Sequence, residues 1–138
     1  MQRTLAIIKP DAVGNQCAGA IIKRIEESGL EICALRMINL TQQDAEGFYA
    51  VHKEKPFFGA LTAFMSSGPA VVLALQGENA IRRWRDLMGA TNPDDAEDGT
   101  LRKEFGASID RNATHGSDAE ETAAYEVNYF FRGVDFRQ

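Results

Sequence analysis

The chain has 138 residues, of which 44% are hydrophobic and 25% charged, and a formal net charge of −5 at pH 7. This length predicts a single domain over residues 1–138 with one hydrophobic core, and the composition is that of an ordinary soluble globular protein. The negative charge argues against a specific nucleic-acid partner, which needs a basic face. A nucleotide is not excluded, because its phosphates need only a few local cations.

Several sequence features also indicate the cellular compartment in which the protein is expected. No apolar run approaches the ~20 residues that cross a bilayer, so no membrane partner is expected. The N-terminal apolar stretch is too short for a signal peptide and has no small-residue cleavage site. The two cysteines, Cys17 and Cys33, have the spacing of neither a zinc site nor a C-x-x-C pair. These features predict a cytoplasmic location.

In the first half of the chain, hydrophobic periodicity predicts alternating strands and helices. The first strand is short and apolar, and the helix after it is amphipathic and ends at Gly29. Thr41 and Asp44 have the spacing of a capping box, in which side chains satisfy the first free N–H groups of a helix. The predicted elements are a strand over 4–8, a helix over 18–29, a strand over 30–40, and helices over 41–49 and 58–65.

The second half contains the clearest central strand and a long loop. Residues 90–112 hold few apolar positions and predict a mostly irregular segment with a helical turn around 101–105. A loop of that length in a small domain is usually functional or disordered, and its Thr91, Arg102 and Asn112 favour function. The remaining predicted elements are strands over 70–75 and 113–115 and helices over 79–88 and 119–131.

His115, one of two histidines in the chain, directly precedes a strong helix-start signal. Ser117 with Glu120, and Asp118 with Glu121, each have the spacing of a capping box. A helix N-terminus favours phosphate because it presents unpaired amides and a partial positive charge. His115 is therefore a candidate nucleophile for phosphoryl transfer, although a lone histidine at such a place is more often a packed or capping residue.

The order of the predicted elements fits an α+β domain with one sheet and helices on a face. Gly14 and Gly19 have the glycine spacing of a Walker-type phosphate loop, but no Lys followed by Ser or Thr comes next. No G-x-S-x-G elbow is present either, which disfavours hydrolase chemistry through Ser117 and His115. Any nucleotide is therefore expected to be held without those devices.

Four separated motifs resemble the nucleoside diphosphate kinase family, and the likeness runs from Arg3 to about Phe131. The motifs are Ile8-Lys9-Pro10-Asp11, Arg85-Asp86-Leu87-Met88-Gly89-Ala90-Thr91-Asn92-Pro93, Gly99-Thr100-Leu101-Arg102 and Asn112-Ala113-Thr114-His115-Gly116-Ser117-Asp118. The resemblance implies a ferredoxin-like sheet of four antiparallel strands with helices packed on it, plus the long irregular loop at about 90–112. It also implies a phosphotransferase that moves the terminal phosphoryl group of a nucleoside triphosphate to a nucleoside diphosphate. The implied mechanism is a ping-pong exchange through a phosphohistidine, with broad tolerance of bases.

The resemblance makes His115 the phosphorylated nucleophile and matches Glu126 to the glutamate that orients it. Glu126 lies close to the apolar stripe of the last predicted helix, where a carboxylate is costly to bury unless it is hydrogen-bonded. Simple exposure at the margin of that stripe is the alternative. Ser117 matches a serine near the same network, a role compatible with capping the helix, and Tyr49 matches a hydroxyl near the phosphates.

The phosphate-binding residues implied by the resemblance are cationic or hydroxylic. Lys9 matches the lysine that reaches the phosphates and ribose, although its position alone also fits a solvated strand end. Arg85, Thr91 and Arg102 match phosphate ligands, whereas position alone would make both arginines surface charges. Fixed cations suit a transition state whose charge spreads over the phosphoryl oxygens.

The resemblance also implies a site for the nucleoside. Phe57, by default a core residue, matches the phenylalanine that stacks on the base, and Ile109 matches the apolar residue on the opposite side. Stacking tolerates all bases, because each has a π-face. Asn112 matches a ribose-hydroxyl contact, and His52 has no partner in this pattern and is expected at the surface.

The implied partners are nucleoside triphosphates and diphosphates, with Mg²⁺ as cofactor held mainly by nucleotide phosphates rather than by protein side chains. The resemblance also implies a homo-oligomer, either a tetramer or a hexamer built from dimers. The rival hypothesis is a non-catalytic nucleotide-binding module, because a fold does not dictate a function. The joint presence of His115, Glu126, Lys9 and both arginines favours the enzyme.

Overall fold

The computed structural model describes residues 1–136, which form a four-stranded sheet with the strand order β2-β3-β1-β4. All three strand pairings are antiparallel. The strands are β1 (Gln2–Ile8), β2 (Glu31–Ile38), β3 (Ala70–Gly77) and β4 (Thr114–Gly116). The four-stranded antiparallel α+β fold that the resemblance implied is confirmed.

Seven α-helices connect and cover the strands within residues 1–136: α1 (Pro10–Gly14), α2 (Ala18–Glu27), α3 (Gln42–Phe48), α4 (Phe58–Met65), α5 (Ala80–Met88), α6 (Leu101–Phe105) and α7 (Glu120–Phe130). Short 3₁₀ turns occupy 50–52, 93–95 and 133–135. The capping box predicted at Thr41 and Asp44 is present, because each side chain accepts a hydrogen bond from the other's backbone N–H. In the described part of the chain, every helix is too short or too polar to span a bilayer.

The helices cover both faces of the sheet, not one face as the element order suggested. Because side chains alternate along a strand, Leu5 and Ile7 of β1 pack against α3, α4 and α7, whereas Ala6 and Ile8 pack against α2 and α5. These four side chains are fully buried. Burial of each large apolar side chain stabilises the fold by about 1.5–3 kcal/mol, so the central strand is a firm platform for its neighbour β4.

Three local predictions were wrong. Helix α1 was not predicted, because five residues are too few for an apolar stripe, although Pro10 in its first turn is a helix-start signal. The last helix begins at Glu120, where the N–H of Ala119 donates to the hydroxyl of Thr122, so neither predicted capping box at Ser117 or Asp118 forms. The fourth strand begins one residue later than predicted, because Ala113 has a φ of 73° and cannot continue a strand.

Candidate active site

His115 lies in the middle of β4, directly opposite Ile7 of β1. Lys9 directly follows β1 and lies two residues after Ile7. Its backbone N–H donates to the carbonyl of Ala113 at 2.8 Å, which extends the pairing of the two strands. Because paired residues and every second residue share a face of a sheet, His115 and Lys9 lie on the same side. The strand register thus brings together two residues that are far apart in the sequence.

The imidazole of His115 is held by a carboxylate. Its Nε2 lies 2.9 Å from Oε1 of Glu126, and both side chains are mostly buried, with 17% and 14% of their surfaces exposed. The hydroxyl of Ser117 donates to the same Oε1 at 2.8 Å and accepts the backbone N–H of Leu5 at 3.1 Å. An ionised carboxylate only accepts hydrogen bonds, so this contact favours the tautomer in which Nε2 carries the ring proton and Nδ1 keeps its lone pair.

Two aromatic rings contact the imidazole edge to face. The Phe48 ring lies 5.4 Å from His115, and the Tyr49 ring lies 6.0 Å from it. The hydroxyl of Tyr49 is buried and has no hydrogen-bond partner within residues 1–136. Burial, followed by the charge of Glu126, raises the pKa of Tyr49 well above its ordinary value. The phenol therefore stays protonated and remains an unused donor beside the histidine.

Arg102 of α6 is tied to the backbone on both sides of the site. Its guanidinium donates to the carbonyls of Gly89 at 3.0 Å and Thr114 at 2.9 Å, and Thr114 is the residue before His115. Burial, together with the charge of Arg85, lowers the pKa of Arg102 to about 10. It still carries a full charge at neutral pH, so a buried cation sits next to the strand that bears His115.

Arg85 of α5 lies nearer to solvent and forms an ion pair with Asp118. Both side chains are substantially exposed, so this pair contributes little to stability. Asp118 follows Ser117 directly in the chain, and the ion pair therefore links α5 to the segment that leaves β4. An exposed guanidinium with a weak partner is free to turn toward an anion.

Lys9, Asn112 and Thr91 form a chain of hydrogen bonds. The Lys9 ammonium donates to Oδ1 of Asn112 at 2.9 Å, and the amide of Asn112 donates to the carbonyl of Thr91 at 3.0 Å. Burial, and secondarily Arg102, lowers the pKa of Lys9 to about 8, against the opposing charges of Asp11 and Asp110. Lys9 is therefore mostly protonated at neutral pH and close to losing its proton.

A cleft of about 570 Å³ extends outward from these residues, a size suited to a small organic ligand. Phe57 and Ile109 are unusual at its outer end, because 48% and 55% of their surfaces are exposed although both are large and apolar. Six of the predicted nucleotide-binding residues line this one cleft: Lys9, Phe57, Thr91, Arg102, Ile109 and Asn112. Arg85 lines an adjoining depression together with Thr91 and Arg102.

The sequence profile of the nucleoside diphosphate kinases matches residues 2–136. The chain belongs to the nucleoside diphosphate kinase family. A nucleoside diphosphate kinase from Syntrophotalea carbinolica is 61% identical over 135 residues, and the match covers 98% of each chain. One from Desulfovibrio desulfuricans is 57% identical and covers 100% of this chain and 99% of its own.

Solved structures of the family have the same fold. The crystal structure of the Aquifex aeolicus nucleoside diphosphate kinase superposes with a TM-score of 0.97 at 42% identity and 99% coverage of both chains. A halophilic nucleoside diphosphate kinase from Halobacterium salinarum, solved in complex with CDP, has a TM-score of 0.95 at 35% identity. That match covers 99% of this chain and 91% of the other.

Membership of the nucleoside diphosphate kinase family defines the activity. The chain is a phosphotransferase that moves the terminal phosphoryl group of a nucleoside triphosphate to a nucleoside diphosphate, by the family's ping-pong mechanism through a phosphohistidine. Kinases of this family usually work with a divalent metal. Within residues 1–136, no cluster of three or more His, Cys, Asp or Glu side chains could hold such an ion.

Sequence reasoning missed several residues that support the kinase site. Phe48 was predicted only as part of a helix, and the buried Trp84, whose indole N–H donates to the carbonyl of His115 at 3.0 Å, was not considered. A Cβ on Gly116 would lie 2.6 Å from the Trp84 ring, so only glycine allows this approach. His52, expected at the surface, is half-buried, with its ring 5.6 Å from Phe57. No local sequence pattern indicates these contacts, because the partners lie on different elements.

Proposed function

We propose that His115 is the residue that carries the phosphoryl group and that Nδ1 is its attacking atom. The observation that carries this proposal is the 2.9 Å contact between Nε2 and Glu126, which directs the ring proton to Nε2 and leaves Nδ1 nucleophilic. The contact of Ser117 with the same carboxylate oxygen supports a fixed direction for Glu126. Glu126 and Ser117 thus orient the imidazole.

The exchange proceeds in two balanced steps. The Nδ1 lone pair of His115 attacks the γ-phosphorus of a nucleoside triphosphate, an N–P bond forms, and the bond to the bridging oxygen breaks, releasing the nucleoside diphosphate. A terminal phosphate oxygen of a second diphosphate then attacks the same phosphorus and the N–P bond breaks. The Nε2 proton stays in place throughout, because Glu126 balances the positive charge of the phosphorylated ring.

Lys9, Arg85, Thr91 and Arg102 are proposed to bind the phosphates, with the Tyr49 hydroxyl close to the transferred group. Support for Lys9 and Arg102 comes from their burial as cations next to β4, an arrangement that is costly unless an anion is bound there. The buried Tyr49 hydroxyl supports its own role, since it lacks a partner in the described residues. Fixed positive charges stabilise the phosphoryl oxygens in the transition state.

The nucleoside is proposed to lie in the outer part of the cleft. Phe57 and Ile109 stack on the base from opposite sides, and Asn112, next to Lys9, contacts a ribose hydroxyl. The exposure of two large apolar side chains along one cleft supports this arrangement. Apolar stacking does not distinguish between bases, which agrees with the broad base tolerance of the family.

Mg²⁺ is the proposed divalent ion, bound mainly by the nucleotide phosphates. Oxygen ligands from substrate phosphates are the usual environment of this ion, and the described residues lack an acidic cluster that would replace them. When bound, the ion neutralises phosphate charge during transfer. Lys9 and the two arginines would share that charge with it.

Phosphorylation of the enzyme tests the central assignment. Wild type incubated with γ-labelled ATP is expected to acquire an acid-labile, base-stable label, which leaves quantitatively when unlabelled GDP is added. His115→Ala is expected to acquire none, whereas His52→Ala, the matched control with the chain's other histidine, should be labelled. A stable label on His115→Ala would refute the assignment.

We also propose that the kinase forms a homo-oligomer, a tetramer or hexamer built from dimers, in the cytoplasm. Strand β2 lies at one edge of the sheet and exposes Leu35 and Met37, and an exposed apolar edge strand favours pairing with another chain. The two free cysteines agree with a reducing compartment. Light scattering should give a mass well above the monomer's, and Met37→Lys should reduce it if this edge lies in the assembly. A monomeric wild type would refute the proposal.

A further inference from the structure

The segment just before β4 contains a tight turn centred on Ala113. The N–H of Thr114 donates to the carbonyl of Asn112 at 2.8 Å, across the single residue Ala113, whose φ is 73°. This is a γ-turn with a positive φ at its centre, a rare and strained conformation for a residue with a side chain. Such strain persists only where surrounding groups enforce it.

Both backbone polar groups of Ala113 are held by the junction between β1 and α1. Its carbonyl accepts the backbone N–H of Lys9 at 2.8 Å, and its own N–H donates to Oδ2 of Asp11 at 3.1 Å. Ala113 is fully buried, so its N–H would lack a partner without that carboxylate. Within the described residues, Asp11 is thus the side chain that is hydrogen-bonded to the centre of the turn.

The other carboxylate oxygen of Asp11 indicates that an aspartate at this position does not serve mainly to stabilise the fold. Oδ1 is buried and has no hydrogen-bond partner within residues 1–136. A buried carboxylate oxygen without a partner costs folding free energy, and a functional role is one explanation for why such a group is kept. The remaining oxygen, Oδ2, makes the contact with Ala113.

The turn separates the two halves of the site. On one side, Asn112 meets the Lys9 ammonium and lines the nucleotide cleft. On the other side, Thr114 leads directly to His115 in β4. A change of φ at Ala113 rotates one half relative to the other, so this one dihedral angle governs where the nucleophile lies with respect to the bound nucleotide.

We infer that Asp11 is a positioning residue, which enforces the positive φ of Ala113 and so aligns His115 with a nucleotide bound beside Lys9 and Asn112. The inference rests on the proposed roles of His115 and the cleft. Asp11 touches no reacting atom. It acts through the backbone of the turn, and separately its charge raises the pKa of Lys9. Its loss should therefore lower the rate of phosphoryl transfer more than it weakens nucleotide binding, since misplacement by about 1 Å can reduce a rate ~100-fold.

A double-mutant cycle tests this inference by single-turnover kinetics of the full-length enzyme. At about pH 6, where Lys9 keeps its proton because even its lowered pKa is about 8, Asp11→Ala is expected to lower the rate of His115 phosphorylation by about 10- to 100-fold. The apparent Kd for ATP should change by less than about threefold. Asp11→Asn, which keeps an acceptor oxygen, should restore most of the rate. Asp135→Ala removes another carboxylate that accepts a backbone N–H, that of Arg132, and should leave the rate unaltered.

Replacing the strained residue Ala113 with glycine gives the decisive part of the double-mutant cycle. Glycine adopts a positive φ without steric cost, so in the Ala113→Gly background the Asp11→Ala substitution should lower the rate by only about threefold or less. Equal losses in both backgrounds, or a loss that follows only the thermal midpoint, would overturn the inference. If wild type itself acquires no label on His115, the proposed function fails instead, so the two failures are distinguishable.

Discussion

The residues proposed to act on the phosphates and those proposed to hold the base, called here the phosphate end and the base end of the site, are built into the fold in different ways. At the phosphate end, His115, Lys9 and Arg102 are mostly buried and hydrogen-bonded to strands or to other side chains. At the base end, Phe57 and Ile109 stand about half exposed, before a short helix and in the long loop, and line the cleft only with apolar surface. The residues proposed for phosphoryl transfer are therefore attached to the core, and those proposed to bind the nucleoside lie at its periphery.

This difference explains how one kinase can position the reacting phosphoryl group precisely and still accept many bases. Transfer needs the nucleophile and the cations within a fraction of an ångström of their places, which a hydrogen-bonded strand such as β4 provides. Recognition of many bases needs a surface without directional groups, which two apolar side chains provide. Substitutions at the phosphate end should change rates, pH dependence and stability, and those at the base end only apparent affinity.

The largest effect is expected for Glu126→Gln. A glutamine amide facing Nε2 can donate to it, which moves the ring proton to Nδ1 and removes the nucleophilic lone pair. We expect kcat to fall by roughly 100-fold with little change in KM, measured by coupled steady-state assay. Glu121→Gln changes an exposed carboxylate of the same helix and is the matched control. Undiminished turnover in Glu126→Gln would contradict the orienting role.

The KM for nucleotide is expected to depend strongly on pH because of Lys9. Burial lowers the pKa of Lys9 to about 8, and only the protonated ammonium attracts phosphate. Nucleotide binding should therefore be strongest well below pH 8 and should weaken as the pH rises above it. KM for nucleotide should rise by about tenfold between pH 7 and pH 9, a range in which Arg102, with a pKa of about 10, keeps most of its charge. Lys9→Arg keeps its charge over this range and should remove the inflection. A wild-type KM that stays constant up to pH 9 would contradict the assignment.

At the base end, Phe57→Ala should raise KM by about tenfold through the loss of one stacking contact, while kcat stays nearly constant. The rise should be the same for GDP, CDP and UDP, because the ring makes no directional contact with a base. Phe57→Tyr, which keeps the aromatic face, is the control. An increase confined to one nucleotide would show that Phe57 contributes to base selection.

The smallest effect is expected on stability. Trp84→Phe removes the donor to the carbonyl of His115 and should lower the free energy of unfolding by about 1 kcal/mol in urea titrations. Phe57→Ala, at an exposed position, should change it by less than about 0.5 kcal/mol. If the free energy of unfolding falls equally in the two variants, the distinction between a phosphate end built into the core and a base end at the periphery is wrong.

Much of the fold could be predicted from local patterns. The strands β1 and β3 appear as apolar runs, and the box at Thr41 and Asp44 starts a helix as expected. The boxes predicted at Ser117 and Asp118 failed because tertiary partners compete for those side chains. Glu126 binds Ser117 there and Arg85 binds Asp118, and neither competitor is visible in a four-residue window.

The candidate site could be predicted only through resemblance to a family. Pattern alone left Glu126 undecided between burial and exposure, and it made Arg102 an ordinary surface charge, whereas the structure buries both largely beside β4. Phe48 was predicted only as part of a helix, and Asp11 appeared only as the last residue of a family motif, without a role of its own. Each acts through a partner on another element, Phe48 on the ring of His115 and Asp11 on the backbone of Ala113.

By itself the sequence determined the family, and with it the reaction, together with the order of the main elements and the residue types available for chemistry. Tertiary structure alone decided which nitrogen of His115 meets Glu126, which groups hydrogen-bond to the backbone of Ala113, and how Lys9 and Asn112 meet across about a hundred positions of chain. The physical reason is the antiparallel register of β1 and β4. That register is selected by burial over the whole sheet, and a shift of one residue would turn every one of these side chains to the other face.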